Sequence, residues 1–97
     1  MNEVVRIQER TATLDSNGET NVWNPIETRH ANVIPLDARA RLLYSELKST
    51  VAHKVIFHGE VTIRLGDHRL LWRDKTLLPV APAEYWNGNT SVVVRQL

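Results

Sequence analysis

The sequence predicts a mainly β fold, a small β-barrel or sandwich of about seven short strands with one inserted short helix or loop. Three observations carry this. Apolar and β-branched residues alternate at period two through most of the chain. Turn clusters recur every ~8–12 residues, the rhythm of a compact all-β domain. Only one stretch, residues 37–50, leaves that alternation for a helical spacing. A chain of 97 residues has room for a single domain, read as residues 1–97.

The first strand reads VVRIQERTATL over Val4–Leu14, with Val5, Ile7, Thr11 and Thr13 on one face. Asp15-Ser16-Asn17-Gly18 is a turn, because Asn and Gly accept positive φ and Asp and Ser bond their own backbone. Trp23 follows, then Asn24-Pro25, which favours an extended entry to a second strand over Ile26–Ile34. There Glu27, Arg29, Ala31 and Val33 alternate with Ile26, Thr28, His30, Asn32 and Ile34.

Asp37 caps a predicted helix over Ala38–Lys48, with Ala40, Leu43, Tyr44 and Leu47 on one stripe. Lys48 suits the negative end of the helix dipole. So short a helix is marginal alone and needs packing.

Further strands are expected over Thr50–His58, Val61–Leu65, Arg69–Trp72, Leu77–Val80 and Thr90–Gln96. Gly59, Gly66 and Asp74-Lys75 mark the breaks between them. Pro79 and Pro82 require the Leu77–Ala81 stretch to lie at an edge or to end irregularly. The expected core is Val5, Ile7, Val33, Val55, Ile63, Leu70, Trp72, Val92 and Val94. The segment Trp86-Asn87-Gly88-Asn89 reads equally as an interaction tip or as a surface turn whose Trp86 folds back onto the body.

Composition narrows the function classes. The formal charge is +1, without a block of like charge, so the basic footprint of a dedicated nucleic-acid binder is missing. Arginine outnumbers lysine, which suits interfaces. With no cysteine there is neither a disulfide nor a thiolate. The opening MNEVVRIQER carries charges where a signal peptide needs an apolar core, and no stretch reaches the ~20 apolar residues of a membrane span. A soluble protein of the cytoplasm in which it is made, with no membrane contact, is the expectation.

No chemistry of catalysis stands out. Ser16, Ser45, Ser49 and Ser91 lie outside any nucleophile elbow, and His30, His53, His58 and His68 show no metal-ligand spacing. The four glycines are isolated turn residues, so there is no phosphate cradle. A non-enzymatic chain without metal or cofactor is expected. A competing reading is an OB-like module for single-stranded nucleic acid, with Trp23, Phe57, Trp72, Tyr85 and Trp86 as stacking faces near Arg64, Arg69 and Arg73.

Taken in order, the features resemble the head–tail joining family of tailed bacteriophages, the head-completion or stopper type. The resemblance runs through the Val4–Leu14 strand, the DSNG turn, Trp23 and HANVIPL at His30–Leu36. It continues through the polar connection Asp37–Thr50 and a strand with Thr50, His53, Val55 and Phe57. Val61–Leu65, Gly66, Arg69–Trp72 and the closing strand Ser91–Gln96 complete it. In place of the family's Gly-x-x-Tyr-x-Ile strand stands GDHRLLW.

The resemblance implies a virion connector, or neck, protein made in the host bacterial cytoplasm. It implies a homo-oligomeric ring of about twelve or six heterologously joined copies. That ring would dock under the portal and adaptor proteins of the head, help retain packaged DNA and offer the tail its attachment surface. Implied partners are the portal and adaptor, a tail-terminator or tail-completion protein, other copies of the chain, and passive contact with packaged double-stranded DNA. The connection after the second strand is the family's channel-facing segment, here carrying Asp37, Arg39, Arg41, Tyr44 and Lys48. Glu27, Arg29, Glu60 and Arg64, which alternate with apolar residues and are therefore expected to face outward, are the candidate inter-subunit residues. Another neck or tail-completion protein is the alternative within this class.

Overall fold

The computed structural model describes residues 2–15, 18–36 and 51–97. They form strands β1 (Glu3–Asp15), β2 (Gly18–Pro35), β3 (Val51–His58), β4 (His68–Trp72), β5 (Lys75–Pro79), β6 (Glu84–Trp86) and β7 (Asn89–Gln96). The predicted helix Ala38–Lys48 lies outside the described residues. All neighbouring strands pair antiparallel, in the order β3-β2-β1-β4-β5-β7-β6, and β3 also pairs with β7. The pairings therefore return on themselves through β1–β2–β3–β7–β5–β4. Each of these six strands is paired on both sides over part of its length, and β6 is an added edge on β7.

One face of each strand fills the interior, as strand periodicity requires. Val5, Ile7, Ala31, Val55, Phe57, Leu70, Leu77, Val92 and Val94 are fully buried, and Trp72 nearly so. Val33 is only partly buried and packs against this cluster. Each such side chain taken from water stabilises the fold by ~1.5–3 kcal/mol, set against the entropy of ordering it.

Two local expectations are corrected. Val61–Leu65 is not a strand: it is an extended segment without a ladder partner. Its Val61 N–H goes instead to the Thr90 hydroxyl at 3.0 Å, and the Arg64 carbonyl accepts from the Asp67 and His68 amides. Val61 and Ile63 remain buried, whereas the turn carries Leu65 into solvent. Next, Asn24-Pro25 does not begin a strand, because β2 runs through it. Proline is tolerated there for two reasons. The register shifts between Ile7↔Glu27 and Gln8↔Pro25, leaving Ile26 as the extra residue of a bulge, and β3 pairs with β2 only over Ala31–Pro35. Of the two alternatives for the Leu77–Ala81 stretch, the structure takes the second: β5 lies between β4 and β7 and ends at Pro79.

Beyond Glu9 and Asn24 the β1–β2 hairpin leaves the closed sheet, since β4 pairs with β1 only over Val5–Glu9. The bulge reverses the alternation of β2, so Trp23 shares the outer face with Arg10. Arg69 there lies over the Trp23 ring at 4.5 Å and donates from Nε to Gln8 Oε1 at 2.6 Å. On the same flank Arg10 N–H donates to the Asp67 carbonyl at 2.8 Å. The root of the hairpin is thus braced by the entry to β4.

Candidate functional site

The segment between β3 and β4 crosses one mouth of the closed sheet and gathers charge there. Gly59 has φ +85, which lets the chain turn sharply out of β3. Thr90, buried on β7, then fastens the segment: its hydroxyl donates to the Gly59 carbonyl at 2.7 Å while accepting from Val61 N–H. The buried His68 ring holds the far end, with Nδ1 accepting the Arg64 N–H at 2.6 Å.

Above this segment opens a recess of about 330 Å³ lined by Glu9, Ile26, Glu27, Glu60, Val61, Thr62, Arg64 and His68. Three of the four candidate inter-subunit residues, Glu27, Glu60 and Arg64, meet in it. The fourth, Arg29, joins them by pairing Nε with Glu27 Oε1 at 2.5 Å and donating from Nη1 to the His58 carbonyl at 3.2 Å. Register explains the gathering. Glu27 opposes Ile7 and Arg29 opposes Val5, so both share the face of Ala31 and sit at the mouth of the interior rather than on its outer wall. The candidate channel-facing residues Asp37, Arg39, Arg41, Tyr44 and Lys48 lie outside the described residues.

A second polar cluster surrounds Trp72. Its indole Nε1–H donates to Glu3 Oε2 at 3.0 Å, and its ring meets the His53 ring edge-on with centroids 5.3 Å apart. Arg73 and Lys75 approach the ring at 4.6 Å and 5.2 Å, and Arg73 Nη2 also binds Glu3 Oε1 at 2.9 Å. The Trp72 and Arg73 hydrogen bonds hold the Glu3 carboxyl below its ordinary value of 4.5.

The third feature is the β6–β7 hairpin. Asn87 and Gly88, at φ 52 and 81, form its two-residue turn. Trp86 is 82% exposed and Tyr85 57%, so Trp86 stands out as a tip and does not fold back. Of the five aromatics that could stack on bases, Phe57 and Trp72 are buried and Trp23 is covered by Arg69. Only Tyr85 and Trp86 stay open, on one small hairpin, which is no stacking platform for a strand of nucleic acid.

The arrangement offers surfaces for assembly, with no helix among the described residues long and apolar enough to cross a membrane. Its fold is shared with protein SF1141 from Shigella flexneri 2a, whose solution structure aligns with a TM-score of 0.81 at 12% identity. That alignment covers 99% of this chain and 92% of the other, and at such identity it speaks for the fold alone. No curated protein matches the chain. The family model described as phage head completion protein matches residues 1–93, nearly the whole length. The chain therefore belongs to the phage head completion protein family, a structural family of the virion that joins head to tail.

Proposed function

We propose that this protein is a ring-forming stopper subunit of the phage neck. It docks under the portal and adaptor, helps hold packaged DNA in the head and presents the surface to which a tail-terminator or tail-completion protein attaches. The observation that carries the reading is the head completion family match over residues 1–93. The strand circuit supports it by supplying a wall element whose strands pair back on themselves. The mouth charges Glu27, Arg29, Glu60 and Arg64 serve as inter-subunit contacts in this reading, because rim charges set register and encounter rate between copies.

The channel-facing part is the connection from β2 to β3, with Asp37, Arg39, Arg41, Tyr44 and Lys48 toward the axis and toward passing double-stranded DNA. Its base is closed, since Pro35 opposes His53 in the β2–β3 ladder. Exchange of the connection therefore leaves the strand circuit intact. Synthesis in the host cytoplasm and assembly into the virion follow from the same reading.

Replacing Ala38–Lys48 by a short Gly/Ser linker tests it. The subunit is expected to fold and to occupy heads as the parent does, while those heads lose DNA before tails attach or fail to join tails. Full DNA retention and normal tail joining with the linker variant would sink the stopper role.

A further inference from the structure

We propose that the β6–β7 tip is a docking knob for a second copy of this chain, received by the recess on the outer face of β1 and β4. The knob is Trp86 with its face-mate Glu84; the receiving recess is floored by Val4 and Leu71 and rimmed by Arg6, Arg73 and Lys75.

Single exposed apolar side chains are ordinary on protein surfaces, but this one is held in place. Its turn is tied to the neighbouring segment by Gly59 N–H donating to the Gly88 carbonyl at 2.8 Å. One residue past Asn89, Thr90 is buried and bonds the same segment on both sides of Val61's entry. A tryptophan on so fixed a turn loses little conformational freedom when it binds, which is the condition for an interface anchor. Glu84 and Trp86 are two apart on β6, opposite Ser91 and Asn89, so indole and carboxylate project on one face.

The recess offers an apolar patch of Val4 and Leu71 within a polar lining, whose three cations outnumber its carboxylates Glu3 and Asp74. It encloses about 510 Å³, and Val4 on its floor is 49% exposed. Its three cations suit both the face of an indole and a carboxylate beside it. Arg73 is already engaged with Glu3, whereas Arg6 has no ion pair among the described residues. Glu84 is likewise unpaired among them. Like Arg6, Lys75 has no ion pair among the described residues, nor does Asp74 beside it, so the recess keeps an excess of positive charge to meet the knob's carboxylate.

Knob and recess are built from different strands, so the contact is heterologous: a bound copy keeps its own knob free for the next. This deepens the ring reading above and names its contact, yet it is tested without heads or DNA. The probe is a benzoylphenylalanine photocrosslinker replacing Trp86, which keeps an aromatic knob. Such protein is mixed at high concentration with an isotope-labelled copy and irradiated. Mass spectrometry is expected to find intermolecular crosslinks to the peptides that contain Val4–Arg6 and Leu71–Lys75. Glu84→Arg on the knob copy should lower the yield severalfold, and Arg6→Glu on the labelled copy should restore it. Both residues are exposed, and matching melting temperatures would verify that each variant folds. Crosslinks mapping elsewhere, no intermolecular crosslink, or no rescue by the charge exchange would each overturn the proposal. Retention of DNA by heads is scored separately, so the stopper reading survives or falls on its own experiment.

Discussion

Trp72 donates its indole N–H to Glu3 Oε2 at 3.0 Å, linking the start of β1 to the end of β4 through residues 69 positions apart. Arg73 binds the other oxygen, so one carboxylate ties together an aromatic and a cation beside the core. Because both partners favour the charged carboxylate, the pKa of Glu3 in the folded protein is lowered from 4.5. The sign follows by linkage. Stability from this group is fully present above the unfolded value and is lost as pH falls through the lower folded value. Thermal unfolding of the parent and Glu3→Gln should therefore differ at neutral pH, and the gap should narrow below about pH 4.5. A gap that is constant down to strong acid would show that the charge contributes nothing.

Trp72→Ala is expected to cost roughly 3–5 kcal/mol, the range for emptying a buried aromatic site. The residue is only 7% exposed, and the change also leaves Glu3, Arg73 and Lys75 without the ring they contact. Denaturant unfolding monitored by circular dichroism reads the loss. A midpoint close to the parent's would mean that the ring is not packed as described.

Thr90→Val removes a hydroxyl that serves two backbone groups while nearly keeping its volume. The orphaned Val61 N–H and Gly59 carbonyl should cost about 1–3 kcal/mol. Hydrogen exchange at Val61 should accelerate, whereas Thr90→Ser should keep most of the protection. Equal exchange in Thr90→Val and the parent would show that the segment is held by its apolar residues alone.

Gly88→Ala isolates backbone strain from packing, since a methyl group there meets nothing within 4 Å. At φ +81 the added Cβ should still cost roughly 1 kcal/mol or more. The expected result is a lower melting temperature with unchanged core spectra. An unchanged melting temperature would mean that the tip relaxes freely, which would also remove the rigidity that makes Trp86 an anchor.

Arg69→Ala should loosen the β1–β2 hairpin without opening the core, because Arg69 reaches Trp23 and Gln8 on the outer face. A loss of about 0.5–2 kcal/mol is expected from the ring contact. Limited proteolysis between residues 10 and 24 should become faster. Unaltered cleavage there would show that the Arg10–Asp67 contacts brace the hairpin unaided.

What the sequence determined by itself was much of the interior, though not Ala31, Phe57 or Leu77, which are also buried there. Val5, Ile7, Val55, Leu70, Trp72, Val92 and Val94 alternate with polar neighbours, and alternation is a local property that any strand converts into one buried face. The same local logic marked Gly18, where β2 begins, and the Asn87-Gly88 turn, and all three residues adopt positive φ. Only the tertiary structure decided where alternation is interrupted and which faces meet. The bulge at Ile26 reverses β2 and sends Trp23 outward, toward an Arg69 that lies far along the chain. Val61–Leu65 reads as a strand in isolation, yet it joins no ladder, and the Val61 amide donates to the Thr90 hydroxyl instead. Glu27, Glu60 and Arg64 meet at one mouth because the strand circuit closes, and closure depends on contacts between distant residues that local spacing does not encode.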